Sequence, residues 1–228
     1  MKRLWVALGL GFLLATAAWA GDIEGAVTVD VGKLPPRAKN TNPDMKKNQG
    51  QYKKSDLTKA KSGGEGGAEK LDERENVIVY ITKDADGAKL KATPTTRDIL
   101  QENREFKAHV TPVVLGSTIR FVNKDSFFHH IYSPDSSKLN VPQHSTHVER
   151  KPDRLGKFEL FCDIHPLMNG YLYVVPNDFV IVAKGGKFVL KGVPAGTYTV
   201  EAWHPRVKAK SSKVTVPASG KATVNFSL

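Results

Sequence analysis

The only cysteine of the chain, Cys162, is followed at steps of three by His165 and Met168. A thiolate, an imidazole and a thioether this close in sequence can converge on one soft metal ion. Zinc sites usually have four strong nitrogen, sulfur or oxygen ligands, and a thioether is a poor zinc ligand. A plane of one cysteine and two histidines with a weak axial methionine is the ligand set of a blue-copper electron-transfer centre. The pattern therefore predicts copper and leaves one histidine to be found.

The candidates for the missing ligand are the other histidines of the chain: His109, His129, His130, His144, His147 and His204. His129 and His130 are adjacent in an apolar segment typical of a strand, where alternation puts only one of them on the core side. The apolar pattern does not choose between these two. We expect surface positions for His144 and His147, which lie in a polar stretch, and for His204, which precedes a proline.

The first twenty residues have the pattern of a cleaved export signal. Lys2 and Arg3 give a basic start, the run 4–18 is almost wholly apolar, and small residues stand at positions 18 and 20. We expect cleavage between Ala20 and Gly21, a periplasmic location and no stable membrane insertion afterwards; an uncleaved anchor helix is the alternative. A single cysteine in an exported chain forms no internal disulfide and is prone to oxidation as a bare thiol, which favours a metal-bound thiolate.

Eight basic and two acidic residues lie between positions 37 and 61, in a tract of unusual composition, and the whole chain has a formal net charge of +11. Residues 33–75 are rich in Gly, Lys, Asn, Ser and Pro, and the basic part spans 37–61. Because such a composition buries too little apolar surface to offset its ordering entropy, we predict a flexible, exposed loop; a partner-docking segment is the alternative. A basic exported protein suits acidic proteins, anionic polymers or a membrane surface as partners. We expect no nucleic-acid partner, since no aromatic-and-basic binding module is visible.

Short apolar segments with turn residues between them predict an all-β chain. The predicted strands are 22–31, 76–82, 110–115, 117–123, 127–132, 154–162, 170–175, 179–183, 188–192, 197–203, 212–216 and 222–228. Residues 95–105 are polar and mixed, and they fit either a short helix or a loop. Short strands at regular spacing favour two antiparallel β-sandwiches.

Three segments of the sequence resemble the cupredoxin family, most of all its amicyanin-like and exported plastocyanin-like members. They are Phe121-Val-Asn-Lys-Asp125, Phe128-His-His-Ile-Tyr132, and the loop Cys162-x-x-His-Pro-x-Met-x-Gly170. In that pattern a turn leads to a ligand histidine that is usually followed by asparagine. The resemblance therefore implies that His129 is a ligand and that His130 takes the position of the asparagine.

The resemblance covers residues 99–176 and implies a Greek-key β-sandwich over 96–176. It also implies one type 1 copper ion, with the ligands His129, Cys162, His165 and Met168. By the same resemblance, the edge of the His165 ring would pass electrons through an apolar patch to a redox protein such as a cytochrome or a dehydrogenase.

A second resemblance concerns the ends of the chain. Residues 186–198 are similar to the carboxypeptidase regulatory-like, transthyretin-type β-sandwich, an immunoglobulin-like architecture, and 25–29 and 77–81 fit its first strands. This implies a discontinuous module, 21–95 plus 177–228, with the cupredoxin region inserted between its halves. A simple N-terminal extension is the alternative.

These features favour a periplasmic electron carrier that is not an enzyme. A copper-binding or delivery protein would use the same ligands, with His144 and His147 as an entry site, and a structural β-sandwich binding module is a third possibility. Copper oxidases and nitrite reductases are disfavoured because they need a second copper centre, usually with His-x-His or His-Cys-His motifs that this sequence lacks. The sequence also has no visible Ser-His-Asp set for hydrolysis.

Overall fold

The computed structural model describes residues 20–50, 72–83, 89–144 and 146–228. Within these ranges the chain forms seventeen strands and one short α-helix, so the predicted all-β class is confirmed. The predicted signal, apart from its last residue, and residues 51–71 of the predicted flexible loop lie outside the described residues. No helix in the described part of the chain is long and apolar enough to cross a membrane.

The helix α1 is Met45–Gly50, and single 3-10 turns occur at Val31–Lys33, Glu73–Asn76 and Ser137–Leu139. The strands, in chain order, are β1 (Ala20–Thr28), β2 (Ile78–Lys83), β3 (Thr96–Glu102), β4 (Glu105–Phe106), β5 (Val110–Val114), β6 (Thr118–Asn123), β7 (His129–Tyr132), β8 (Val141–His144), β9 (His147–Arg150), β10 (Gly156–Cys162), β11 (Asn169–Val175), β12 (Val180–Val182), β13 (Lys187–Pro194), β14 (Gly196–His204), β15 (Val207–Val216), β16 (Lys221–Thr223) and β17 (Phe226–Ser227).

We call the two sheets built from β1, β2 and β12 to β17 the outer sandwich. One sheet has the order β13-β1-β16, with β17 also paired to β1, and the other has the order β12-β2-β14-β15. The strand partners of β1 and β2 all come from residues 180–228, so both ends of the chain build this sandwich. Val79 and Ile81 of β2 face its core, while Ile78 and Tyr80 alternate onto the opposite face.

We call the two sheets built from β3 to β11 the inner sandwich. Their strand orders are β5-β11-β10-β7-β8 and β4-β3-β6-β9, and Phe121, Phe158, Leu160 and Leu172 lie in the core between them. The predicted antiparallel pairing holds for most strand pairs, but β5 pairs with β11, β3 with β6, and β1 with β16 and β17 in parallel. Strand periodicity reports which face is buried, not the direction of the neighbouring strand.

The segment that the sequence left undecided between helix and loop contains β3. This strand pairs in parallel with β6, but only Ile99 and Gln101 among its residues are buried. Because its other side chains are exposed, the strand has no apolar alternation that could reveal it in the sequence.

The two sandwiches pack face to face through aromatic residues. The hydroxyls of Tyr80 and Tyr173 lie 3.0 Å apart, and Tyr80 donates to Glu201 Oε1 at 2.7 Å. The rings of Tyr173 and Trp203 have centroids 4.3 Å apart. These side chains come from β2 and β14 on one side and β11 on the other, so the outer sandwich covers the outer face of the inner one.

A strap, residues 34–50, runs from the outer sandwich to one end of the inner sandwich. At its start, Arg206 Nη1 donates to the Pro35 carbonyl at 2.8 Å, and Arg37 lies 3.6 Å from Glu73. At its far end, α1 lies beside the loop between β10 and β11. The strap falls within the tract predicted as a flexible loop, and there it has defined side-chain partners on both sandwiches.

Candidate metal centre

Cys162 is the last residue of β10, and its side chain joins Phe158 and Leu160 in the inner core. The loop after it folds back, because the Cys162 amide donates to the Met168 carbonyl at 3.2 Å and the Met168 amide donates to the His165 carbonyl at 2.9 Å. These backbone bonds bring the His165 and Met168 side chains to the buried end of the strand.

The second histidine arrives on β7, which pairs with β10 so that Ile131 lies opposite Cys162. The side chains of β7 alternate, with His129 and Ile131 buried and His130 half-buried on the opposite face. The structure therefore brings His129, not His130, to Cys162. His130 lies on the other side of the strand, with Nε2 3.7 Å from Asp163 Oδ2.

Three donor atoms form a buried triangle. Cys162 Sγ is 3.6 Å from His129 Nδ1 and 3.5 Å from His165 Nδ1, and the two Nδ1 atoms are 3.2 Å apart. Donors around one ion at bond lengths of about 2.0–2.3 Å lie roughly 3.5–3.7 Å apart in a trigonal arrangement. The observed spacing is close to that, so the three side chains fit a single metal ion.

A hydrogen bond fixes which nitrogen of His129 faces the thiol. His129 Nε2 lies 2.8 Å from Asp125 Oδ2, and because a carboxylate only accepts, the proton belongs on Nε2 and the lone pair on Nδ1. Asp125 also accepts from the amides of Asn103 and Arg104 at 2.7 and 3.1 Å, which follow each other in left-handed conformation. Burial would raise the pKa of Asp125, but these hydrogen bonds outweigh it and lower the pKa.

Burial is the main cause of the pKa shifts of the three donor residues. Burial lowers the pKa of His129 against the opposing pull of Asp125, and burial followed by the charges of His129 and Arg104 lowers the pKa of His165 to about 3. Burial raises the pKa of Cys162 to about 11. At neutral pH both imidazoles are therefore uncharged, the form that coordinates a metal ion, and a metal ion would displace the thiol proton.

Met168 lies in the same buried cluster as Cys162 and Ile164 and is 1% exposed. His165 is 4% exposed, and its ring packs against Phe127 with centroids 5.2 Å apart. The predicted ligand loop thus places all its chemically active side chains inside the protein.

Comparison with known proteins finds similar solved structures but does not assign the chain to a family. No protein-family model matches the chain, and no match is found among curated proteins. The solved structures similar to it include copper proteins. The purple cupredoxin from Nitrosopumilus maritimus is 22% identical over 35% of this chain and 98% of its own, with a TM-score of 0.31.

Two further solved structures are similar over part of the chain. An amicyanin variant in the Cu(I) form is 15% identical over 35% of this chain and 81% of its own, with a TM-score of 0.32. A copper-containing nitrite reductase from Thermus scotoductus is 26% identical over 40% of this chain and 24% of its own, with a TM-score of 0.31. TM-scores this low do not establish a shared family, so the assignment of the site depends on its own geometry.

The remaining histidines lie away from the triangle or have structural partners. His109 Nδ1 lies 3.2 Å from the Asn169 carbonyl, and His147 is exposed. The His144 backbone pairs with His129, but its side chain lies outside the described residues. The expected surface position of His204 is wrong: it is 1% exposed and its Nε2 lies 3.2 Å from Glu73.

Asp163 is a buried acidic residue that the sequence analysis did not single out. It is 0% exposed and accepts side-chain amide hydrogen bonds from Asn40 at 2.8 Å and from Asn42 and Asn48 at 2.6 Å each. Gln49 donates to its backbone carbonyl at 2.8 Å. Two signals were available: an acid directly after the only cysteine, and closely spaced asparagines in the basic tract.

Proposed function

We propose that this protein is an exported copper protein that accepts and donates single electrons. The ligands would be the Nδ1 atoms of His129 and His165 and the thiolate of Cys162, and the Met168 thioether would be a fourth, weaker ligand. The observation that carries the proposal is the buried triangle of donor atoms, with edges of 3.2–3.6 Å. Copper bound there supplies one-electron exchange between Cu(I) and Cu(II).

The donor set favours copper over zinc. A structural zinc site would need a fourth strong ligand, and the Asp125 carboxylate, which contacts His129, already binds the Nε2 atom of that ring. Thiolate and thioether sulfur are soft ligands that suit copper, and the two imidazoles complete the set.

The chain itself contributes rigidity and exclusion of water. His129 is held by Asp125 and by the strand β7, and Cys162 is held by β10 and by its bond to the Met168 carbonyl. Because these groups are buried and fixed, their positions change little when the charge of the site changes. Small rearrangement is what a fast electron carrier requires.

The exit route of the electron is proposed at the exposed tip of the ligand loop. Pro166 is exposed and Leu167 is 82% exposed, and both lie between His165 and Met168 in the chain. Such an apolar tip suits contact with another redox protein, for instance a periplasmic cytochrome or dehydrogenase, and the positive charge elsewhere suits an acidic partner.

Copper delivery is the second candidate, and burial speaks against it. Transfer of copper to another protein requires ligands that the other protein can reach, whereas Cys162 and His129 are both 0% exposed. Metal transfer to an acceptor that is faster than electron exchange would favour delivery.

Nitrite reduction is tested separately, by supplying nitrite and an electron donor to the copper-loaded protein, and we expect no turnover.

The visible spectrum tests the proposal. Copper(II)-loaded protein should show an intense thiolate-to-copper absorption, and Cys162→Ser or His129→Ala should abolish it. His130→Ala is the matched control, because the neighbouring imidazole points away from the triangle, and it should keep the colour. A colourless Cu(II) complex of the wild-type chain would sink the electron-transfer proposal.

A further inference from the structure

The Asp163 carboxylate is fully buried, and the hydrogen bonds to its side chain come from outside its own loop. An ionised carboxylate removed from water is costly unless charged or hydrogen-bonding partners replace the solvent. Its side-chain hydrogen bonds come from Asn40, Asn42 and Asn48, which precede it by more than a hundred residues. The buried carboxylate beside Cys162 is therefore stabilised by the strap.

The amide groups of the strap are oriented for this task. The Asn40 side-chain oxygen accepts from the Asn42 amide at 2.9 Å, and the Asn42 oxygen accepts from the Asp44 amide at 3.0 Å. With each oxygen engaged by the strap's own backbone, each NH2 group is left to donate to Asp163. In both Asn40 and Asn42, the side-chain oxygen stabilises a turn of the strap, and the side-chain nitrogen donates to the Asp163 carboxylate.

The other end of the strap is tied to the outer sandwich. Arg206, in the turn between β14 and β15, donates to the Pro35 carbonyl and also pairs with Glu73. Glu73 lies 3.6 Å from Arg37 of the strap. The strap therefore connects the outer sandwich to the residue that follows Cys162.

We propose that the strap is a clamp for the metal loop, with Asp163 as the positioning residue through which it acts. By binding the side chain and the carbonyl of Asp163, it holds the loop 162–168 closed over the donor triangle. This assigns a role to the strap and to the outer sandwich that anchors it. The role in retaining metal rests on the proposed function, whereas the clamp itself is a property of the metal-free chain.

Hydrogen–deuterium exchange of the metal-free protein tests the clamp directly. In the double variant Asn42→Ala/Asn48→Ala, the amides of residues 163–165 and 167–169 should exchange about tenfold faster or more, because local opening then has fewer hydrogen bonds to break. Asn225→Ala is the matched control, since it removes an asparagine hydrogen bond to Ala26 in the outer sandwich, and it should leave that exchange unchanged. Equal loop exchange in the double variant and the wild type would overturn the proposal.

A reciprocal experiment starts from the loop. Asp163→Asn removes the carboxylate that the strap recognises, so trypsin should cut after the exposed Lys46 and Lys47 faster than in the wild type, with the cut sites identified by mass spectrometry. Unchanged cleavage there would contradict the clamp, and it would do so without any reference to copper.

Metal retention is the third readout. The strap double variant should lose its copper to a chelator about tenfold faster or more, and the Asn225→Ala control should not. A chain that never forms the coloured copper complex would refute the proposed function, and the exchange and proteolysis results would still decide the clamp. Faster loop exchange with unchanged metal loss would refute the retention role.

Discussion

Asp125 determines how His129 meets the thiol of Cys162. Its carboxylate holds Nε2 and is itself held by two backbone amides, so the imidazole has one orientation and one tautomer. Hydrogen-bond partners of this kind orient a metal-binding imidazole and make it a better donor. The motif Asn123-Lys-Asp125 is therefore more than a turn, because its last residue aims a donor atom.

Replacing Asp125 by asparagine should weaken metal binding by about 10- to 100-fold while leaving the fold intact. The amide would place an NH2 group against donors that now meet a carboxylate oxygen. Competition titration with a chelator measures the affinity. Asp98→Asn is the control, because that carboxylate binds Arg120 on the surface; equal affinities in the two variants would contradict the assigned role.

At the scale of elements, pairing of β7 with β10 joins two distant parts of the site. The register that sets Ile131 opposite Cys162 and the alternation along β7 together decide which of two adjacent histidines is internal. On the other side of the site, β11 begins after the loop and passes close to β4. Gly170 permits that approach, since a Cβ there would lie 3.0 Å from the Phe106 ring.

Gly170→Ala should destabilise the protein by about 1–3 kcal/mol, because Phe106 is buried and must shift to accept the methyl group. Gly32→Ala, whose new Cβ would meet only Asp30 Oδ1 at 3.4 Å, should change stability by less than about 0.5 kcal/mol. Urea unfolding of the metal-free variants measures both. A Gly170→Ala midpoint equal to that of the wild type would show that the close approach does not constrain this residue.

At the scale of the molecule, four sheets are stacked, and the sandwich with the donor triangle is inserted between the strands of the other. The inserted unit receives support at two places: the aromatic interface around Tyr173 and Trp203, and the strap at the metal loop. The outer sandwich thus contacts a face of the unit that holds the site, and the strap contacts its end.

The metal-free molecule should lose stability as the pH falls below 6.5. Burial is the main cause that lowers the pKa of His165 to about 3 and of His109 to about 4. Unfolded histidines take up protons near pH 6.5 while the folded ones stay neutral, so the unfolded state binds more protons between these values. The contribution of these histidines to the free energy of unfolding is therefore fully present above pH 6.5. Below that pH it falls by up to about 1.4 kcal/mol per pH unit for each histidine.

Urea midpoints at pH 7, 6, 5 and 4 measure this dependence. His165→Leu should reduce the slope, whereas replacement of the exposed His147 by glutamine should leave it unchanged. A midpoint that is the same at pH 7 and pH 5 would refute the burial argument.

The sequence by itself determined the all-β class and the chemistry of one loop. Both depend on residues close together in the chain: apolar residues alternate within each strand, and Cys162, His165 and Met168 lie within seven positions. Such local patterns can be recognised in the sequence alone. Only the tertiary structure decided that His129 rather than His130 faces the thiol, that β3 is a strand, and that asparagines near residue 40 bind Asp163. Each of these depends on contacts between segments far apart in the chain, where register and packing choose among alternatives that local pattern leaves equal.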